Sequence, residues 1–258
     1  MRRRLAAALA VAAVAVAALT GCAAASSEDF AAGNARPLTS EEAQDLAIMR
    51  LRNQDAGARA VSFSLTENGS EARFDGWYDY ATAIGYGRWQ SVDPQLLVWN
   101  ARVAGTHPAS PATPSGDEGP APLPIPDADR LDTDWAGGAL DPAGSRRDAV
   151  LSVIAQLGAD RPDNPLLLQQ GGALWLGTRD VDGETLTVYA GPESDQVAAT
   201  PAADPAAATV RYWLDDTSLL RRLDVRLGGA GEWTTVTFAD AGGVSLPDVF
   251  TAATGAAP

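Results

Sequence analysis

The chain has 258 residues, 46% of them hydrophobic, with 33 acidic against 19 basic side chains and a formal net charge of −14. Such an acidic protein repels nucleic-acid phosphates and anionic headgroups, which excludes partners held by positive charge. One cysteine excludes an intrachain disulfide, and the length suffices for one sizeable core or two small ones.

At the N-terminus, Arg2, Arg3 and Arg4 precede an unbroken apolar run over residues 5–19, followed by Thr20, Gly21 and Cys22. A basic segment followed by a short apolar one is the layout of a secretory leader, and a membrane span needs about 20 apolar residues. The end of the run, Leu19-Thr20-Gly21-Cys22, resembles the bacterial lipoprotein box. In that box a diacylglyceryl group is joined to the cysteine sulfur as a thioether, and cleavage follows just before the cysteine. The resemblance implies that residues 1–21 are a signal peptide and that Cys22 is the lipid-attachment site. It also implies that the protein is anchored to the cell membrane on its extracytoplasmic face. Each buried CH₂ contributes about 0.8 kcal/mol and one chain holds only marginally, so two chains on one cysteine give a stable tether. Residues 22–37 are small, polar and aperiodic, and read as a flexible tether.

A helix is predicted next. Thr39 and Glu42 form the T-x-x-E of a capping box, AQDLAIMRLRNQ supplies good helix formers, and Gly57 ends the element. From Val61 the period becomes two. Val61, Phe63 and Leu65 share one face, and Asn68-Gly69 makes a turn. EARFDGWYDYA, AIGYGRWQ and PQLLVWNARVAG follow as further strands, dense in aromatics that suit sheet packing. Residues 105–126 hold seven prolines and read as an exposed loop or linker. It either divides two domains or is an insertion in one. The second half lacks a self-sufficient topology, which favours an insertion.

Asp141-Pro142 opens a second helix, with Ser145 and Asp148 as a capping pair. Val150, Val153, Ile154 and Leu157 fall at i, i+3, i+4 and i+7, and Gly158 fits the C-cap. After a loop with Pro162 and Pro165, ALWLGTRDV and GETLTVYAG form a hairpin around Asp182-Gly183. Residues 192–208 are a second Ala/Pro-rich insertion. VRYWLDD then turns at Asp215-Asp216 into LLRRLDVRL, where Leu219, Leu223, Val225 and Leu227 face one way and Arg222, Asp224 and Arg226 the other, with Arg221 interrupting the apolar face. EWTTVTFAD returns, giving an antiparallel meander with one solvated face. AGGVSLPD closes it, Pro247 marks a strand end, and residues 251–258 are a tail.

The stretches GWYDYATAIGYGRW, LLVWN and YWLDDTSLLRRLDVRL…WTTVTFADAGG resemble the LolA-type lipoprotein carriers, and among them the actinobacterial LppX and LprG lipoproteins. The resemblance covers most of residues 38–250, read as a single domain. It implies an α+β fold in which a curved antiparallel β-sheet, a half-barrel, packs helices on its concave face. It further implies a cavity there for a lipid or other amphiphile. Val150, Val153, Ile154 and Leu157 are the candidate lining residues, because the stripe they form must pack on a sheet face.

Signatures of catalysis are missing. There is no G-x-S-x-G, P-loop, dinucleotide fingerprint or H-E-x-x-H. The one histidine, His107, lies in the Pro-rich stretch and reads as a solvated loop residue. Asp127, Asp129, Asp132 and Asp134 cluster without the spacing of a Ca²⁺ loop and read as a solvated acidic segment. No cofactor is expected. The expectation is therefore a non-enzymatic, membrane-tethered amphiphile carrier. The alternative is an envelope protein-interaction module of the same fold with no bound lipid.

Overall fold

Thr39 starts the first long element. Its hydroxyl accepts the Glu42 N–H at 3.3 Å and the Glu42 carboxylate accepts the Thr39 N–H at 2.8 Å, both arms of the expected capping box. Helix α1 runs Ser40–Ala56 and stops at Gly57, whose φ of +65° favours a residue without a Cβ. The computed structural model describes residues 30, 35–67, 69–109, 135–192, 208–227 and 231–241. Cys22, most of the tether, the Asp127–Asp134 cluster, residues 193–207, Pro247 and the tail lie outside the described residues.

The strands before the Pro-rich stretch are β1 (Arg36–Pro37), β2 (Ala58–Glu67), β3 (Ser70–Asp79), β4 (Ile84–Gln90), β5 (Gln95–Trp99) and β6 (Val103–Pro108). PQLLVWNARVAG holds two strands, not one. The Asn100 side chain accepts the N–H groups of Arg102 (2.8 Å) and Val103 (3.0 Å), which turns the chain between β5 and β6. Residues 105–108, expected in the loop, continue the β6 ladder, with Leu97 opposite Thr106 and Leu96 opposite His107. His107 is accordingly a half-buried strand residue whose Nδ1–H donates to the Pro108 carbonyl at 2.7 Å, with its ring 5.4 Å from that of Trp135. β7 (Ala136–Ala139) pairs with β6, so the chain leaves and rejoins the sheet on adjacent strands.

Helix α2 runs Arg146–Ala155. Ser145 accepts the Asp148 N–H at 3.2 Å, but the Asp148 carboxylate reaches back to the Asp141 N–H at 3.1 Å and not to Ser145. The helix ends at Gln156, two residues before the Gly158 expected to cap it. A third helix, α3 (Pro165–Gln170), stands where a loop was expected. Asn164 caps it by accepting the Leu166 N–H at 3.0 Å, and Pro165 fills the first position. β8 (Leu174–Val181) and β9 (Glu184–Ala190) form the expected hairpin, with Asp182 (φ +52°) and Gly183 (φ +86°) in the left-handed conformation of a tight turn. β10 (Val210–Leu214), β11 (Leu220–Arg226) and β12 (Trp233–Asp240) complete the meander.

Among the described residues, twelve strands join one antiparallel sheet in the order β1-β8-β9-β10-β11-β12-β2-β3-β4-β5-β6-β7. With β1 and β7 at its edges the sheet stays open, and the helices pack against one face of the curve. This is the α+β, curved-sheet arrangement that the resemblance implied. The core between helices and sheet is aromatic at one end. Phe63 stacks on Phe74 at 5.1 Å, and Trp99 meets Phe74 edge-on at 5.3 Å. Gly85 and Gly87 make that possible, since a Cβ on Gly85 would overlap the Trp99 ring and one on Gly87 the Phe74 ring.

The opposite face is not simply solvated. Trp77, Ile84, Tyr86 and Val98 form one buried cluster there, and Leu174, Leu176, Leu186, Val188 and Trp213 another, joined by Phe30. Asp224, expected on a solvated face, is buried and accepts from Trp213 Nε1 (2.8 Å), Thr235 Oγ1 (2.8 Å) and Arg222 Nε (2.8 Å). In β11 Leu223, Val225 and Leu227 share the helix side as expected, and the exception is Leu219. The Asp215 N–H donates to the Leu219 carbonyl, which places Leu219 in the turn and makes Leu220 the first buried residue of the strand. Its register with β10 shifts at Trp213/Leu214.

Candidate functional site

An open cleft lies beside the end of α2. Helix α1 presents Leu46, Met49 and Arg50 at helical spacing, so one face of that helix forms a wall. Val153, Gln156 and Leu157 come from the end of α2, Leu168 from α3, and Val210 and Tyr212 from β10. Together with Asp163 and Pro192 they enclose an open cleft of about 360 Å³.

The polar groups at this cleft are largely committed to holding it open. Arg50 donates from Nε to the Gln156 carbonyl (3.0 Å), from Nη1 to Asp163 Oδ1 (3.1 Å) and from Nη2 to the Gly158 carbonyl (3.2 Å). Asn53, one turn further along α1, donates to the Leu157 carbonyl at 2.9 Å. The Ala159 N–H returns to the Arg50 carbonyl and the Asp163 N–H to the Ala47 carbonyl. The segment between α2 and α3 is thereby stapled to α1, and its carbonyls are satisfied without a regular element. Burial pushes the Tyr212 phenol above its ordinary value, opposed by Arg50, so the group is neutral at physiological pH. The result is an apolar trough with an arginine–carboxylate pair at its rim. Such a site can hold an apolar chain and offer polar contacts to its head.

The four residues of the α2 stripe separate in the structure. Val153 and Leu157 line the cleft. Val150 and Ile154 are completely buried in the core, joined by Leu151, which the i, i+3, i+4 spacing does not select. Cys22 lies outside the described residues. Leu46, Met49, Leu168, Val210 and Tyr212 are lining residues that sequence reasoning passed over. Leu46, Met49 and Asn53 do fall on one face of α1, but nothing in the sequence marks a cleft rather than a filled interface. Among the described residues, no group of three or more His, Cys, Asp or Glu is placed to hold a metal ion, and no helix is long and apolar enough to cross a membrane.

No family model matches the chain, and no curated protein does. Solved structures are similar to it at a distance. One is the crystal structure of an uncharacterized conserved protein from Thermus thermophilus, 8% identical, covering 86% of this chain and 95% of that one at a TM-score of 0.39. Another is that of a candidate outer membrane lipoprotein-sorting protein domain from Vibrio parahaemolyticus, 10% identical, covering 82% of this chain and 97% of that one at a TM-score of 0.30. At these values the likeness assigns no family.

Proposed function

We propose that the chain is a non-enzymatic envelope lipoprotein, tethered through a lipid on Cys22, that holds the tail of a single-chain amphiphile in the cleft. The observation that carries the reading is the cleft, with apolar walls from Leu46, Met49, Val153, Leu157, Leu168 and Val210 and a polar rim at Arg50 and Asp163. Its volume of about 360 Å³ lies near the lower end of ligand sites, which span about 300–1,000 Å³. That size suits one chain of modest length and not a multiply acylated lipid. Support for the tether is the Leu19-Thr20-Gly21-Cys22 sequence behind its basic and apolar segments.

The test is titration of the Cys22→Ser protein with a dansyl-labelled medium-chain fatty acid. Wild-type cleft residues should give saturable fluorescence enhancement, and Val153→Trp, which fills the trough, should abolish it without lowering the melting temperature. Absence of saturable binding, or binding untouched by Val153→Trp, removes the carrier reading. The second reading, a protein-interaction module, is favoured by one observation. Val150, Leu151 and Ile154 are fully buried in the core under most of α2. A stoichiometric protein partner combined with no fatty-acid binding would select it.

A further inference from the structure

Of the large apolar side chains exposed among the described residues, two are neighbours, Leu166 (62% exposed) and Leu167 (63%), both on α3, and the third is Val92 (83%), between β4 and β5. Leu168 beside them lines the cleft. We infer that α3 is the surface on which this domain rests against the lipid bilayer, so that the cleft opens beside the membrane. The inference rests on the tether reading of Cys22.

Three placements support it. First, Phe30 is pinned. It is buried on the face opposite the helices, with the Trp213 ring edge-on at 5.9 Å and the guanidinium groups of Arg211 and Arg179 over its ring at 4.6 and 4.8 Å. Only seven residues separate Phe30 from Cys22, so at about 3.3–3.6 Å per residue the lipidated cysteine lies within about 28 Å of this point.

Second, the chain enters the fold beside α3. Arg36 of edge strand β1 stacks on Trp175 of β8 at 4.2 Å, and the next carbonyl but one, that of Leu38, accepts from Gln169 Nε2 of α3 at 3.0 Å. The leash therefore leaves from the end of the sheet that carries α3, on the sheet's other face. The β7 edge lies eight strand spacings from β10 in the sheet order, about 38 Å along the sheet at about 4.8 Å per strand, so it is the edge farther from the leash.

Third, the helix sequence PLLLQQ carries no charge, and the whole chain has a formal charge of −14. Attraction to anionic headgroups is therefore unavailable, and contact depends on apolar side chains entering the interface.

Cys22 is the only native cysteine, so once it is lipidated an introduced thiol can be labelled alone. Full-length lipidated Leu167→Cys and Val92→Cys proteins would each carry an environment-sensitive dye and be reconstituted into vesicles of equal parts phosphatidylcholine and phosphatidylglycerol. Brominated acyl chains should quench the dye at position 167 several-fold more than at 92, with a blue shift only at 167. Adding Phe30→Ala should lengthen the leash and reduce that difference while the protein still floats with the vesicles. Flotation with equal, water-like spectra at both positions overturns the inference and leaves the tether standing. Failure to float overturns the tether and the inference together. A blue shift at 167 that grows with protein concentration in lipid-free Cys22→Ser protein assigns the patch to a second copy of the chain and also overturns it.

Discussion

Ile154 and Val153 are adjacent in sequence and belong to different environments, which makes them the sharpest test of where core ends and cleft begins. Ile154 has no exposed surface, whereas Val153 is partly buried at the cleft wall. Ile154→Ala removes three buried carbons, about 2.4 kcal/mol at about 0.8 each. The void adds to this, which brings the expected loss to about 3 kcal/mol, inside the 2–5 kcal/mol range for such truncations. For a domain of this size that corresponds to a fall in melting temperature of about 6–12 °C. Val153→Ala removes two carbons that already border open space, so the cost is about 1 kcal/mol or less. Thermal unfolding by near-ultraviolet circular dichroism measures both, and fatty-acid titration of the same proteins measures occupancy. Ile154→Ala should lower stability with binding retained below the transition, and Val153→Trp should do the reverse. Equal destabilisation by Ile154→Ala and Val153→Ala would refute the division of α2 into a core side and a cleft side.

Cys22→Ser protein lacking residues 1–21 should keep the melting temperature of the lipidated protein and stay in the aqueous fraction while the lipidated protein partitions into membranes; partitioning of the substituted protein into membranes would sink the tether. Gly85→Ala should cost about 1–3 kcal/mol through overlap with Trp99, measured by urea unfolding, and Trp99→Leu in the same chain should recover part of that loss if the ring is the obstacle. Asp215 gives a pH prediction. Burial disfavours its carboxylate, but the Thr217 hydroxyl, the Leu219 and Thr217 N–H groups and the charge of Arg221 outweigh burial and hold its pKa below the ordinary value. A depressed folded pKa stabilises the protein above the unfolded value, about 3.9, and the contribution is lost as pH falls through the folded value. Asp215→Asn should therefore lower the melting temperature at pH 7 and flatten its decline below about pH 4. An unchanged acid limb would show that the contacts of Asp215 do not favour its charged form.

Much of the fold is legible because its signals are local. The Thr39 capping box, the Val61-Phe63-Leu65 alternation and the Asp182-Gly183 turn each depend on residues within a few positions of one another. The misses have specific causes. Asn100 breaks a hydrophobic run through its side chain, a turn that period counting does not register. Asn164-Pro165 is a helix start too short to show a stripe. The adjacent aromatics Trp77 and Tyr78 point to opposite faces of β3 and are both buried. Such a pair signals a sheet covered on both sides, which the expectation of one solvated face overlooked. At the candidate site, Val153 and Leu157 carried a readable apolar signal, but the same spacing serves a wall and a filled core equally well.

What the sequence determines by itself is the type of the longer elements and the basic, apolar and Cys22 layout that motivates a lipid tether, because capping, alternation and turn chemistry act over short range. Only the tertiary structure decides that β1 and β8 lie next to β9 and β10 while β12 returns beside β2, since strand order depends on pairings between residues more than a hundred positions apart. It alone also decides that Arg50 spans to Gln156, Gly158 and Asp163. Those bonds hold the α2–α3 segment on α1, leaving Val153 beside open space and Ile154, one residue on, in the core. A side chain's periodicity sets which way it points, and the distance to whatever it meets there is a property of the assembled layers.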